Sequence, residues 1–454
     1  MTRPERLRVA VVGGGLAGLA AAVACADGGA EVTVIEARKW LGGATSSFVR
    51  DGLTIDTGQH VFLRCCTAYR GFLERLGVSH LAYLQPRMDI PVLAPGRRPA
   101  RLRRTGLPAP FHLGPALVRY PFLTPREKVL ALRASAALRR VDPDDPAADG
   151  RAFGSWLDER GQTDGSVRYL WDLFGLPSLN LPAREASLAL AAKVFRTGLL
   201  ERADAADVGV PAVPLSELHA HPAERLLRSL GARVITGARV RAIRMAEGAV
   251  AGVTLDDGVD MPAEAVVLAV PWDRVDPLLP AGVGRHGGFA ALGASPIVNV
   301  HVVYDRRVMD LPFAAAVDSP VQWVFDRTRP AGLAAGQYLA ISLSGADGVV
   351  DRPVEWFRAT FEPALAELFP AARSARIERF LVTRERSATF RQTPGSRALR
   401  PGQATALPGL YLAGAWTDTG WPATMEGAVR SGTAAAAGAL RSVDPARRMT
   451  AVAS

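Results

Sequence analysis

Two short polar clusters interrupt apolar surroundings in this 454-residue chain: Asp56-Thr57-Gly58-Gln59-His60 and Thr417-Asp418-Thr419. Each carries a group able to hand over a proton. The imidazole of His60 titrates near neutrality without adjustment, and the carboxyl of Asp418 would stay protonated there if burial raised its pKa. Either is a candidate general acid. Asp56, ahead of Thr-Gly, is of the kind that holds a turn. Glu426 opens a predicted helix and complements its dipole, and His301 on an alternating strand either faces the cavity or is a core histidine, the commoner role.

A second chemistry lies at the start of the chain. Gly13, Gly15 and Gly18 fall at G-x-G-x-x-G spacing between the apolar run Arg8 to Val12 and the small-residue segment Leu16 to Ala26. The strand predicted next, Glu31 to Ile35, ends at Glu36. Such a strand–turn–helix brings a backbone close to a pyrophosphate at a helix N-terminus, with the acid placed for a ribose hydroxyl. The acid favours FAD or NAD over NADP. Gly42-Gly43 adds a second close backbone approach just beyond it, which favours FAD.

Composition narrows the classes. A hydrophobic fraction of 48% with 22% charged residues is that of a globular enzyme with two or three domains. Lys39, Lys128 and Lys193 are the only lysines, so arginine dominates the 54 basic residues behind the net charge of +10. No basic run with interleaved aromatics argues for a nucleic-acid partner, whereas a basic chain favours anionic lipid surfaces. Cys25, Cys65 and Cys66 are too few for a disulfide framework and lack zinc spacing, which points to a cytoplasmic protein without a metal site. Arg3, Arg6 and Arg8 before an apolar run mimic a secretory signal, but the glycine motif interrupts it. No segment has the roughly 18–20 uninterrupted apolar residues of a membrane span.

The predicted elements form an interrupted α/β pattern. Residues 1–75 and 211–285 read as two parts of a dinucleotide-binding domain, with Ala265 to Val270 as a buried strand, and 391–454 as its third part. Residues 76–210 read as a mostly helical substrate- and membrane-facing insertion, with a basic loop at Arg97, Arg98, Arg101, Arg103 and Arg104. Predicted strands Ser295 to Tyr304, Val321 to Phe325, Gln337 to Leu343 and Ile377 to Arg384 make 286–390 a substrate-domain sheet.

V-V-G-G-G-L-A-G-L at Val11 to Leu19, E-A-R-x-x-L-G-G at Glu36 to Gly43, A-V-V-L-A-V-P at Ala265 to Pro271 and L-A-G-x-W-T at Leu412 to Thr417 resemble the flavin amine oxidases and carotenoid-type desaturases. D-T-G-Q-H-V at Asp56 to Val61, V-P-A-V-P-L-S-E-L at Val210 to Leu218 and T-D-T-G-W-P-A-T-M-E-G-A-V-R-S-G at Thr417 to Gly432 resemble one branch, the squalene-associated FAD-dependent desaturases or hydroxysqualene dehydroxylases. The resemblance implies a two-domain flavin amine oxidase-like fold: a Rossmann-type FAD domain plus a mixed sheet-and-helix substrate domain. It assigns the pyrophosphate to Gly13, Gly15 and Gly18, the adenosine ribose to Glu36, and the pyrophosphate and ribityl to Gly42 and Gly43. It brings Val240 to the adenine and Gly414 through Met425, Glu426 and Gly427 to the ribityl and isoalloxazine. A helix N-terminus there would stabilise anionic reduced flavin. Trp40 and Ala44 stand where the superfamily usually has arginines, and Ala415 replaces the acid that normally bonds the ribityl chain, passing that contact to Thr417 or Asp418.

The branch implies reduction of hydroxysqualene to squalene: an acid protonates the leaving oxygen, an apolar pocket tolerates an allylic cation, and reduced flavin supplies hydride. Gln59, Trp323, Trp416 and Trp421 are the predicted pocket residues; Trp171 and Phe174 are weaker candidates, packing being the commoner role for such rings. An electron donor for FAD and a peripheral contact with the cytoplasmic membrane face follow as expected partners. The alternatives are a polyprenoid desaturase, an amine oxidase, and a flavin-empty isoprenoid carrier.

Overall fold

The computed structural model of the protein describes residues 6–283 and 288–442. Five short runs rich in Val, Ile and Leu come together as a wholly parallel sheet, in the order Arg233–Thr236, Glu31–Glu36, Arg8–Val12, Ala265–Leu268, Leu410–Leu412. Both faces are covered, which is why these strands carry apolar residues continuously rather than alternately. Val9 and Val11 face the helices Leu16–Asp27 and Met425–Ser442, while Ala10 and Val12 face the antiparallel ribbon Val240–Ala246, Ala249–Leu255. The two helices pack closely because small residues line their contact: a Cβ on Gly432 would lie 2.1 Å from the carbonyl oxygen of Ala17.

A seven-stranded sheet forms the second layer, in the order Ile377–Thr389, Ser295–Tyr304, Gln337–Leu343, Trp323–Asp326, Phe313–Ala316, Asp89–Leu93, Ala100–Arg103. Strand alternation gives it two unlike faces. Val298, Val300, Val302, Leu339 and Ile341 pack under the helix Val354–Leu368 with Phe357 and Phe361. Cross-strand register sets His301 opposite Ala340, and Ala340 opposite Phe325, on the other face. Asn299, Tyr338 and Trp323 share that face by the period of two. Trp323 and Phe325 continue into the largest apolar cluster, built with helices between residues 114 and 200.

Two differences from the expected elements matter. The mostly helical segment 76–210 also supplies the strands Asp89–Leu93 and Ala100–Arg103, which complete the second sheet, and part of the predicted basic loop is therefore strand. The helix predicted over Leu215 to Leu230 divides into Leu215–Leu218 and Ala220–Ser229 at His219, whose φ of −123° breaks the helical path. The ring of His219 is held there by the hydroxyl of Tyr69, 2.7 Å from its Nε2. The boundary predicted at 285 and the tail from 443 lie outside the described residues.

Candidate functional site

At the N-terminal end the glycines do what their spacing implies. A Cβ on Gly18 would sit 1.9 Å from the carbonyl oxygen of Gly13, and Gly13 has a φ of +106° with Ala269 O only 2.4 Å from where its Cβ would be. Gly15 differs: nothing lies within 4 Å of its absent Cβ. Open space therefore faces the N-terminus of the helix Leu16–Asp27, which has no side-chain cap for its first N–H groups. Glu36 Oε2 accepts from the Gly14 amide and Oε1 from the Arg38 amide, both at 2.7 Å. Gly42 bridges to Gly15 in parallel, and the Gly42 amide donates to Gly14 O at 2.8 Å. Ala238 N donates to Glu36 O at 3.1 Å, which brings Val240 to the same end. An uncapped helix terminus, an open backbone cradle and an adjoining carboxylate fit a bound dinucleotide.

The C-terminal loop is organised from behind by a residue with no local signature. Arg400 is 5% exposed and sends Nη2 to the carbonyls of Thr417 (2.6 Å) and Trp421 (2.8 Å), with longer contacts from Nη2 to Ala415 O and from Nε to Trp416 O, both 3.3 Å. Burial pushes its guanidinium down to about 10. Thr417 cannot take over the ribityl contact expected of it, because its hydroxyl is consumed inside the loop by Gly414 O, Ser431 Oγ and Gln403 Nε2. Asp418 is not a desolvated lone acid either: it pairs with Arg397 at 3.3 Å and accepts the Gly420 amide at 3.0 Å. Trp416 corrects the pocket expectation as well, since it is 3% exposed, packs on Phe289 and donates Nε1 to Val270 O. Trp421 stands between two cations, Lys193 at 5.3 Å and Arg430 at 5.1 Å from its ring. The helix from Met425 starts here, and its Glu426 carboxylate caps a different helix, accepting the amides of Ala68 and Tyr69 while pairing with Arg430.

A small, water-sized open cavity is lined by Asp56, Gln59, His301, Arg327 and Tyr338 with apolar neighbours including Pro330, Ala331 and Ala340. Asp56 does more than hold a turn. Its carboxylate meets Arg327 Nη2 at 2.7 Å with both side chains largely buried, accepts the Leu215 amide at 2.9 Å, and takes the Ser47 hydroxyl at 2.7 Å. Arg327 also donates to Pro211 O at 2.7 Å, so one ion pair ties three segments together.

His60 sits beside this pair with Nδ1 3.0 Å from Gly58 O. A proton on Nδ1 serves that carbonyl and leaves Nε2 free to act. Burial holds its pKa below the usual imidazole value; the Gly58 carbonyl and Asp56 oppose the shift and Arg327 adds to it. The expectation of unadjusted titration near neutrality is thereby corrected. His301 is both buried and on the cavity wall: it is 2% exposed, with Nδ1 2.7 Å from the Tyr338 hydroxyl and Nε2 2.9 Å from Thr383 Oγ1. Burial pushes it down to about 3 and Tyr338 upward, so both are neutral partners. The Gln59 backbone N–H donates to Asn299 Oδ1 at 3.3 Å, while the Nδ2 of buried Asn299 has no partner among the described residues.

Arg327, Tyr338, Asn299 and Arg400 were missed from the sequence. Asn299 was findable, as a polar residue two before His301 on one face of an apolar strand. Arg327 and Arg400 stand in ordinary polar loops, with nothing local to mark them.

Comparison with known proteins gives three findings. The family described as flavin containing amine oxidoreductase matches residues 16–440. Hydroxysqualene dehydroxylase of Rhodopseudomonas palustris is 32% identical over 440 residues, covering 94% of this chain and 97% of that one; its namesake in Sinorhizobium fredii is 31% identical over 466 residues, with the same coverage. Zeta-carotene desaturase of Synechocystis is 27% identical over 492 residues, covering 98% and 99%. Among solved structures, a redesigned putrescine oxidase superposes with a TM-score of 0.70 at 21% identity, covering 96% of this chain and 100% of its own. Cyclohexylamine oxidase of Brevibacterium oxydans gives 0.69 at 21% identity, covering 97% and 100%.

Proposed function

Because the chain belongs to the flavin containing amine oxidoreductase family and is thus an FAD-dependent oxidoreductase, we propose that it reduces an allylic alcohol of a C30 isoprenoid, hydroxysqualene, to squalene. The observation that carries this reading is the polar group around the cavity: Gln59, Asp56–Arg327 and His301–Tyr338 line it, and His60 lies beside the Asp56–Arg327 pair. The Nδ2 of Asn299 and the Nε2 of His60 can meet one hydroxyl on a long hydrocarbon, whereas a plain hydrocarbon would leave them unpaired at a cost. The names of relatives at 31–32% identity support the same substrate.

Gly13, Gly15, Gly18, Glu36, Gly42, Gly43 and Val240 would hold the adenosine and pyrophosphate of FAD, and Gly414 with the amides from Met425 the flavin end. Reduced FAD, when bound, supplies hydride. The protein's own part is proton handling and exclusion of water. The imidazolium of His60 keeps Nδ1–H on Gly58 O and presents Nε2–H to the substrate oxygen. Its depressed pKa makes it a stronger acid toward that oxygen, although a smaller fraction carries the proton at neutral pH. The C–O bond then breaks to release water, and the carbon accepts hydride, so alcohol, proton and hydride become hydrocarbon and water. Trp323, whose ring stacks on Phe325 at 6.2 Å, offers an aromatic face to the electron-poor carbon.

Anaerobic incubation of the photoreduced protein with hydroxysqualene is expected to give one squalene per flavin; reoxidation without squalene overturns the reading. A desaturase is the second reading, favoured by the full-length match to zeta-carotene desaturase. It requires the oxidised protein to introduce a double bond into a phytoene-like polyene.

A further inference from the structure

The positive charge of this chain is not spread over it. Residues 97–140 contain eleven arginines and lysines against one acid, Glu127, a net of +10 that equals the net charge of the whole chain. The other 410 residues hold 43 charges of each sign. Three of the eleven, Arg101, Arg103 and Arg104, pair with Asp89 and Asp207. Arg98, Arg119, Arg126 and Arg133 are exposed and have no acid partner among the described residues.

The same segment carries the exposed apolar side chains Leu107 (47%), Phe111 (67%), Val118 (70%), Val129 (49%) and Leu132 (52%). They lie on connected structure. The Thr105 amide bonds His112 O and closes the loop that presents Leu107 and Phe111. Lys128 Nζ donates to Val118 O at 2.7 Å, joining the helix Gly114–Arg119 to Pro125–Leu138. On the latter helix Ala131, Ala134 and Leu138 face the core while Val129 and Leu132 point outward. Behind them, Tyr120, Phe122 and Leu123 enter the apolar cluster that contains Phe325 and packs against Trp323.

We infer that residues 97–140 are a docking face for an anionic phospholipid bilayer, with Phe111, Val118 and Leu132 entering the headgroup boundary and the unpaired arginines meeting lipid phosphates. Apolar side chains ringed by cations suit the interface of a bilayer, where each has a separate partner. A second copy of the chain would oppose the same excess of positive charge, and a nucleic acid would leave the exposed Phe and Val unused. The face lies over the apolar cluster of the substrate domain, and on the proposed function a bilayer is where the substrate dissolves.

The test is flotation of the FAD-loaded protein with vesicles of phosphatidylcholine containing about 30% phosphatidylglycerol, against phosphatidylcholine alone. The expected result is binding to the anionic vesicles that falls at least about ten-fold as salt rises from about 50 to about 500 mM. R98E/R119E/R126E/R133E should weaken binding at least about ten-fold, and F111S/V118S/L132S should weaken it while the charge remains. Flavin absorbance and thermal unfolding check that both variants are folded. Hydrogen exchange on the unaltered protein is an independent readout, with amides of residues 105–133 slowed when anionic vesicles are added. No vesicle binding, equal binding to neutral vesicles, binding insensitive to both variants, or protection confined elsewhere would each overturn the assignment.

Discussion

The two ends of the site are built in opposite ways. The adenosine end lies almost wholly within residues 8–43, where successive elements meet through backbone contacts such as Gly42 N to Gly14 O. The cavity end joins residues far apart in the chain: Asp56 meets Arg327 across 271 positions and Gln59 meets Asn299 across 240. The first is specified by what a side chain would obstruct, the second by which strands become neighbours. Local backbone demands leave a spacing in the sequence, whereas side chains gathered by sheet register leave only isolated polar residues.

Four single substitutions and one double variant probe that contrast, in descending size of effect. His60→Gln should lower turnover by about 10²–10⁴-fold while leaving flavin absorbance intact, since it removes a proton donor at the cavity end only. In the unaltered enzyme the imidazolium fraction falls as pH rises through a pKa held below 6.5. Activity should therefore decline with rising pH on the acid side of neutrality, and H60Q should lose that limb; an unchanged pH–rate profile would remove His60 from the mechanism. Arg327→Met leaves Asp56 buried without its cation and is expected to cost ~3–5 kcal/mol in denaturant unfolding. Adding Asp56→Asn should recover part of that loss, and failure of the pair to couple would mean that the ion pair does not hold the cavity end together.

Gly18→Ala acts at the other end. Its methyl would meet Gly13 O, so a stability loss of ~1–3 kcal/mol and weaker FAD retention are expected, readable by titrating FAD into apoprotein. Near-normal retention would mean that the glycine spacing matters less than the helix terminus. Smallest of all, Asp418→Asn removes one part-exposed pair with Arg397 and should shift stability by only ~0–1 kcal/mol with little change in turnover. A large activity loss would restore Asp418 as an acid and make the C-terminal loop, not the wall at His60, the source of the proton.

Much of the fold was legible. The strands Arg8–Val12 and Gln337–Leu343 and the helix beginning at Met425 stand where the apolar patterns put them, because each pattern records burial on the faces the element uses. The break at His219 was not, since it depends on a hydroxyl supplied by Tyr69, 150 positions away. The substitution at Ala415 raised a question that Thr417 and Asp418 were expected to answer. Both are occupied elsewhere, and the loop is instead gripped through its carbonyls by Arg400.

By itself the sequence determined the parallel sheet, the glycine cradle and the acid at Glu36, because steric exclusion at Gly13 and Gly18 restricts residue type wherever backbone segments touch. Only the tertiary structure decided that His60 is depressed rather than neutral-titrating, that His301 belongs to the cavity wall, and that Asp56 needs Arg327. Those properties are set by burial and by charges brought close in space, and neither is recorded in the spacing of residues along the chain.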